Sequence, residues 1–181
     1  MKYSKILTHR PLRRLLYAGM VACLLFLNGC FHYGFTGASI PKGVHTVYIP
    51  FFANQSSSSI SNISNKLNQA LVDRFIKKSP LHLANNRSNA DAVLEGSINE
   101  FSDQPFSVNG NNQASQNQVT IQVQATFQYT KKKKAEWSNK AFSGSATYNP
   151  NDNPIQGKND AAQQALDQIA NNMFNQAVSG W

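Results

Sequence analysis

The chain has 181 residues, room for one ordinary domain and little more. Seventeen Lys and Arg stand against nine Asp and Glu, a formal net charge of +8. Five of those basic residues precede Cys30; the other twelve leave a net charge of about +3, which excludes a nucleic-acid reading from charge alone.

The first segment reads as an address. Lys2, Lys5, Arg10, Arg13 and Arg14 form a basic start with no acid before Cys30. Leu15 to Leu27 is apolar but short of the ~20 residues that a transmembrane helix needs. Its length suits the apolar centre of a signal peptide. It ends in Leu27-Asn28-Gly29-Cys30, a large apolar residue and then a small one before the cysteine, which is a lipobox pattern. Residues 1–29 are expected to be a signal peptide that is removed, and Cys30 to be lipidated. Cys23 is lost with the signal, so mature Cys30 has no intramolecular disulfide partner. An acylated cysteine with more than one chain anchors stably, since each buried CH₂ contributes ~0.8 kcal/mol. Phe31 gives no inner-membrane retention signal of the kind Asp provides, so an outer-membrane destination is expected.

Residues 30–43 are read as the lipidated N-terminal segment and 44–181 as a single domain. Val44 to Phe52 carries β-formers, interrupted by Pro50. Asn54 to Ser59 is a polar loop. Ile60, Ile63, Leu67, Ala70, Leu71 and Phe75 then recur at helical spacing, and Pro80 stops that helix. Leu81-His82-Leu83 reads as a short strand. Ala92, Leu94, Gly96 and Ile98 alternate until the pattern slips near Glu100 and Phe101, which predicts a bulge. Asp103 to Asn117 is rich in Asn, Gln and Ser and reads as a long connection, with Asn109-Gly110 as its tight turn.

Val119 to Tyr129 is the clearest element. Val119, Ile121, Val123, Ala125, Phe127 and Tyr129 alternate with Thr and Gln, giving one apolar face and one neutral polar face. Lys131 to Lys134 form a hairpin tip, and Trp137 to Tyr148 is the returning strand. Asn149 to Pro154 is a loop. A last helix is expected from Asn159 to about Val178, with Ala162, Leu166, Ile169, Met173 and Ala177 inward. The expected fold is a two-layer α+β domain, with two amphipathic helices packed on one face of a mostly antiparallel four-stranded sheet.

Residues for catalysis are sparse. His32, His45 and His82 lack metal-ligand spacing. Glu95 and Glu100 flank the alternation break and are a conceivable carboxylate pair, but the preferred reading is a solvent-facing strand residue beside a bulge residue. No phosphate-binding glycine loop is present. No enzyme, metal or cofactor is expected. Lys131, Lys132, Lys133 and Lys134 are the one concentrated charge. They either keep a hairpin tip soluble or form an anion site, in which each Lys contributes ~1 kcal/mol near an anionic membrane surface. The neutral Gln/Thr sheet face is either solvated or suited to contact with a polar protein surface.

Cys30 is followed by Tyr33-Gly34-Phe35-Thr36-Gly37-Ala38-Ser39-Ile40 and then by the Val47 to Phe52 strand. Leu94-Glu95-Gly96-Ser97-Ile98, the Val119 to Tyr129 strand and the ending Ala177-Val178-Ser179-Gly180-Trp181 complete a pattern spanning nearly the whole mature chain. In these features the chain resembles the LptE family of lipopolysaccharide-assembly lipoproteins, in the form found in Bacteroidetes. The resemblance implies a non-enzymatic α/β plug in the lumen of an outer-membrane β-barrel, the translocon LptD. There it would aid barrel assembly and lipopolysaccharide delivery to the outer leaflet. Lys131 to Lys134 are lipopolysaccharide-binding candidates by chemistry only. The competing reading is an envelope adaptor or surface-exposed binding lipoprotein unrelated to lipopolysaccharide.

Overall fold

The computed structural model describes residues 40–108, 114–132 and 135–178. In chain order the elements are β1 (Thr46–Tyr48), β2 (Ala53–Asn54), α1 (Ile63–Phe75), β3 (His82–Leu83), a 3₁₀ turn (Arg87–Asn89), β4 (Ala92–Val108), β5 (Ala114–Tyr129), β6 (Trp137–Tyr148) and α2 (Pro154–Val178). Strand order across the sheet is β3-β1-β4-β5-β6, and β2 also pairs with β4.

The expected four-stranded, mostly antiparallel sheet needs correcting: the sheet is mixed and has six strands. β4, β5 and β6 form the antiparallel part, while β1 pairs in parallel with β3 and β4, and β2 in parallel with β4. The three parallel strands are two or three residues long. β1 and β3 fall within segments expected as strands, but segments that short carry too little alternation to show which neighbour they pair with or in which direction. Pro50 lies between β1 and β2, where the single expected strand splits in two.

The connection expected from Asp103 to Asn117 is also corrected, because β4 runs to Val108 and β5 starts at Ala114. Asp103 pairs with Val119, Gln104 with Gln118 and Pro105 with Asn117. The composition of this stretch is loop-like, but neighbouring strands decide strand pairing more than composition does. The Asn109-Gly110 turn lies outside the described residues. The bulge falls between Ile98 and Glu100, where the alternation slipped, and it returns Phe101 to the face of the sheet that carries Ile121.

Both helices carry one apolar stripe. Ile63, Leu67, Ala70, Leu71 and Phe75 are the buried residues of α1. α1 starts three residues after Ile60, because Asn62 takes a left-handed conformation with φ of 57°. α2 starts at Pro154, five residues before Asn159. Proline suits a first helical position, where its missing N–H costs no helical bond. The Gly157 amide donates to the Asn153 carbonyl at 2.9 Å and closes that first turn.

α2 lies close on the sheet because its inner stripe is rich in alanine: Ala161, Ala162, Ala165, Ala170 and Ala177 are all buried. A Cβ at Gly144 of β6 would fall 2.1 Å from the Ala165 carbonyl oxygen and 3.1 Å from Ile169. A Cβ at Gly96 of β4 would fall 2.7 Å from Phe52. Around Phe127 the layers are joined by aromatic contacts. Phe75 of α1 meets Phe174 of α2 edge-on at 5.2 Å, and Phe127 stacks on Trp137 at 5.7 Å. Such pairs add ~0.5–1.5 kcal/mol beyond their buried area.

β6 is an edge strand, and α2 guards its middle. The Gln168 side-chain amide accepts from the Ser145 N–H at 3.1 Å and donates to the Ser145 carbonyl at 2.9 Å. One side chain thus makes both bonds that a neighbouring strand would make there.

Candidate functional site

The lysine tip lies at the end of the sheet where β5 turns into β6. Of its four lysines, Lys131 and Lys132 are described, and Lys133 and Lys134 lie outside the described residues. Lys132 pairs with Glu136 and sits 4.9 Å from the centre of the Tyr129 ring. Lys131 is 83% exposed and reaches within 3.9 Å of Asp91. The tip therefore holds its own acids, and Lys131 projects furthest into solvent of the two described lysines.

Asp91 beside it has a structural duty. Its carboxylate accepts from the His45 N–H at 3.0 Å, the Thr46 N–H at 3.1 Å and the Thr46 hydroxyl at 2.9 Å. The His45 amide does most to hold this carboxyl below its usual value; burial opposes it, and the Thr46 bonds and Lys131 assist. These bonds pin β1 to the start of β4.

The opposite end carries a second polar cluster. Asp103 accepts from the Tyr148 hydroxyl at 3.0 Å and pairs with Lys158 of α2 at 2.7 Å. Asn117 donates to the Tyr148 oxygen at 3.3 Å. Burial, with Asp103 next to it, pushes the Tyr148 phenol up, and the Asp103 hydrogen bond does the same for Lys158 against burial. Tyr148 and Lys158 line a depression of about 310 Å³ with Ser59, Ser61 and Ile155. Lys158 is already neutralised there, so the cluster ties the start of α2 to the sheet.

The Gln/Thr face is the third surface. Thr120, Gln122, Gln124, Thr126 and Gln128 of β5 alternate with buried residues and are themselves half-buried. The helix stripes pack into the core on the other face. Among the described residues, Val93 packs on Ala84, Ala90 and Tyr48 at one corner of the polar face. Glu95 lies on this face and pairs with Arg87. Glu95 stands opposite Thr126 and Glu100 opposite Gln122, four residues apart along β5, or ~13 Å at ~3.3 Å per residue. The conceivable carboxylate pair is therefore not brought together.

Strand pairing brings the histidine segments together instead, since the His82 N–H donates to the His45 carbonyl at 2.9 Å. Among the described residues no three His, Cys, Asp or Glu cluster as a metal site. Cys30 and His32 lie outside the described residues. No described helix is long and apolar enough to cross a membrane.

Arg74 in the last turn of α1 went unnoticed in the sequence. It lines a groove of about 330 Å³ between α1 and α2 with Asp73, Lys78, Asp167 and Asn171. Its guanidinium carbon lies 5.0 Å over the Phe174 ring. Its Nε is shut off from solvent and has no acceptor among the described residues. Burying such a donor costs ~1–3 kcal/mol. A cation in a last helical turn is ordinary in a sequence, so only the packing distinguishes this one.

The LptE family model, described as lipopolysaccharide assembly, matches residues 44–177. The chain belongs to the LptE family. At that level it is a lipopolysaccharide-assembly lipoprotein. The match runs from just before β1 to the last turn of α2, so it takes in the mixed sheet and both helices. A comparison with curated protein sequences finds no match. Among solved structures, a Xanthomonas campestris protein is similar at 12% identity and a TM-score of 0.55, covering 77% of this chain and 87% of its own. That likeness supports the fold. The rare lipoprotein B of Shewanella oneidensis is similar at 11% identity and a TM-score of 0.43, over 73% of this chain and 97% of its own. A lipoprotein B from Nitrosomonas europaea is similar at 12% identity and a TM-score of 0.44, over 79% and 92%.

Proposed function

We propose that this LptE-family protein is a non-enzymatic outer-membrane lipoprotein, tethered through acylated Cys30. In this reading it serves as plug and assembly partner of the lipopolysaccharide translocon β-barrel LptD, aiding delivery of lipopolysaccharide to the outer leaflet. The observation that carries the reading is the family match over 44–177. Two features support it. The signal segment and lipobox direct the domain to a membrane surface. The sheet presents a broad neutral face of Gln and Thr that a polar barrel lumen accepts without desolvating charges. Lys131 to Lys134 are the residues proposed to meet lipopolysaccharide phosphates.

Affinity purification of the full chain through a C-terminal tag in mild detergent tests the reading. A large β-barrel protein identified as LptD by mass spectrometry is expected. Recovery of no barrel across several detergents would overturn it. Changing Cys30 to Ser is expected to release the protein from the membrane fraction.

A further inference from the structure

We propose that the end of the domain where the chain enters docks on an anionic phospholipid surface, that of the membrane in which acylated Cys30 is anchored. This rests on the anchoring reading of Cys30 and adds an orientation to it. The entry end lies on the lipid headgroups, and the opposite end of the sheet points away from them.

The sheet places the entry beside the lysine tip. Ile40 and Val44 pack on the core, and the Val44 N–H donates to the Pro41 carbonyl at 3.1 Å across a turn in which Gly43 takes a φ of 87°. Lys42 stands exposed in that turn. Next along the chain, the His45 N–H donates to one oxygen of Asp91, and Lys131 lies 3.9 Å from the other. α1 ends here as well. Its Phe75 meets Phe127 at 6.3 Å, and β3, which follows it, starts where His82 pairs with Thr46. Arg74, Lys77 and Lys78 arrive with that helix end.

Charge is sorted along this axis. With Lys131, Lys132 and Arg87, the entry end holds seven described cations, against the acids Asp73, Asp91, Glu95 and Glu136. The sequence adds Lys133 and Lys134 to the same tip, outside the described residues. At the other end the balance reverses: Asp103, Asp152 and Asp160 outnumber Lys158. Lys66, Lys140, Glu100 and Asp167 lie between the ends and balance one another. An anionic leaflet attracts the first end and repels the second.

The tether favours the same orientation. From Cys30 to Ile40 the chain advances ten residues, a reach of at most ~36 Å. β5 alone, with 16 residues, runs ~50 Å from the entry end to the far end. A domain inverted on the membrane would need a tether as long as the sheet, and ten residues fall short.

The test uses the mature acylated chain on vesicles of phosphatidylcholine alone and of phosphatidylcholine with phosphatidylglycerol, each carrying a headgroup-labelled acceptor lipid. Ser88→Cys places one donor dye at the entry end and Ile155→Cys one at the far end, both at exposed positions. Flotation with the neutral vesicles reads the acyl anchor by itself; failure to float would overturn the anchoring reading, and the docking proposal with it. On anionic vesicles at low salt, energy transfer from the Ser88 position is expected to exceed that from the Ile155 position. The gap is expected to narrow on neutral vesicles and at high salt. The docked-to-free ratio read at the Ser88 position is expected to fall about fivefold with Lys78→Gln and again with Lys131→Gln. Lys66→Gln, in the middle of the molecule, is expected to leave it unchanged. Inorganic phosphate and chloride at equal ionic strength are expected to act alike. Equal transfer from the two dyes on anionic vesicles, or a gap of the same size on neutral ones, would overturn docking and leave the anchor standing. Release by phosphate beyond that by chloride would mean a site for a free anion, and would overturn it too.

Discussion

At single positions, backbone approach and hydrogen-bond geometry set the constraints. Gly144 is required because α2 passes with a carbonyl 2.1 Å from where a Cβ would stand. Gly144→Ala is expected to lift the helix from the sheet and cost about 1–3 kcal/mol, measured by denaturant unfolding. Wild-type stability in that variant would show that the helix shifts without cost. Asp91 acts through charge. Its carboxyl has a lowered pKa in the fold, so its contribution is complete above the ordinary carboxylate value, near pH 4, and is lost as pH falls through the lower folded value. Asp91→Asn is expected to melt lower than wild type at neutral pH. In acid, as wild type loses the Asp91 contribution, the two melting temperatures should converge. Parallel melting curves across that range would remove Asp91 from the account. The alternating apolar residues Val119 to Tyr129 could be read directly as core, but Gly144 and Asp91 could not. Their roles depend on Ala165 and His45, each remote in the chain.

Elements behave according to what flanks them. β5 is stable as a strand because β4 and β6 pair along both its sides and both helices cover one face. β6 has an open side, and Gln168 occupies its middle. Gln168→Ala is expected to speed hydrogen exchange of the Ser145 amide about tenfold, with a stability loss of about 1 kcal/mol. Unchanged exchange at Ser145 would mean that solvent, not Gln168, satisfies that edge. Element type was legible wherever the period ran long, as in α1, α2, β5 and β6. The short strands at Thr46–Tyr48 and His82–Leu83 were legible too, but their parallel pairing was not, nor was the continuation of β4 and β5 through an Asn- and Ser-rich stretch. In those places pairing partners supply the hydrogen bonds, and the local residues carry no period to announce it.

For the molecule as a whole, charge is distributed unevenly. One sheet face is nearly neutral, cations gather at the β5–β6 tip, and Arg74 sits in the helix groove. Replacing Lys131 to Lys134 with Ser is expected to weaken binding to purified lipopolysaccharide several-fold, and wild-type binding should fall as salt rises. Binding that ignores both changes would leave the lysines as a solubilising tip. Residue order alone raised the expectation of a signal segment and a lipidated Cys30, and it disclosed the two amphipathic helices, the half-buried central strand and the resemblance to LptE. These are local or periodic properties, carried by neighbours within a few residues of each other. Tertiary structure alone decided the mixed six-stranded sheet, the separation of Glu95 from Glu100 and the placing of Arg74 over the Phe174 ring. Each depends on which distant segments come to lie side by side, and packing of the two helices against one face of the sheet determines that.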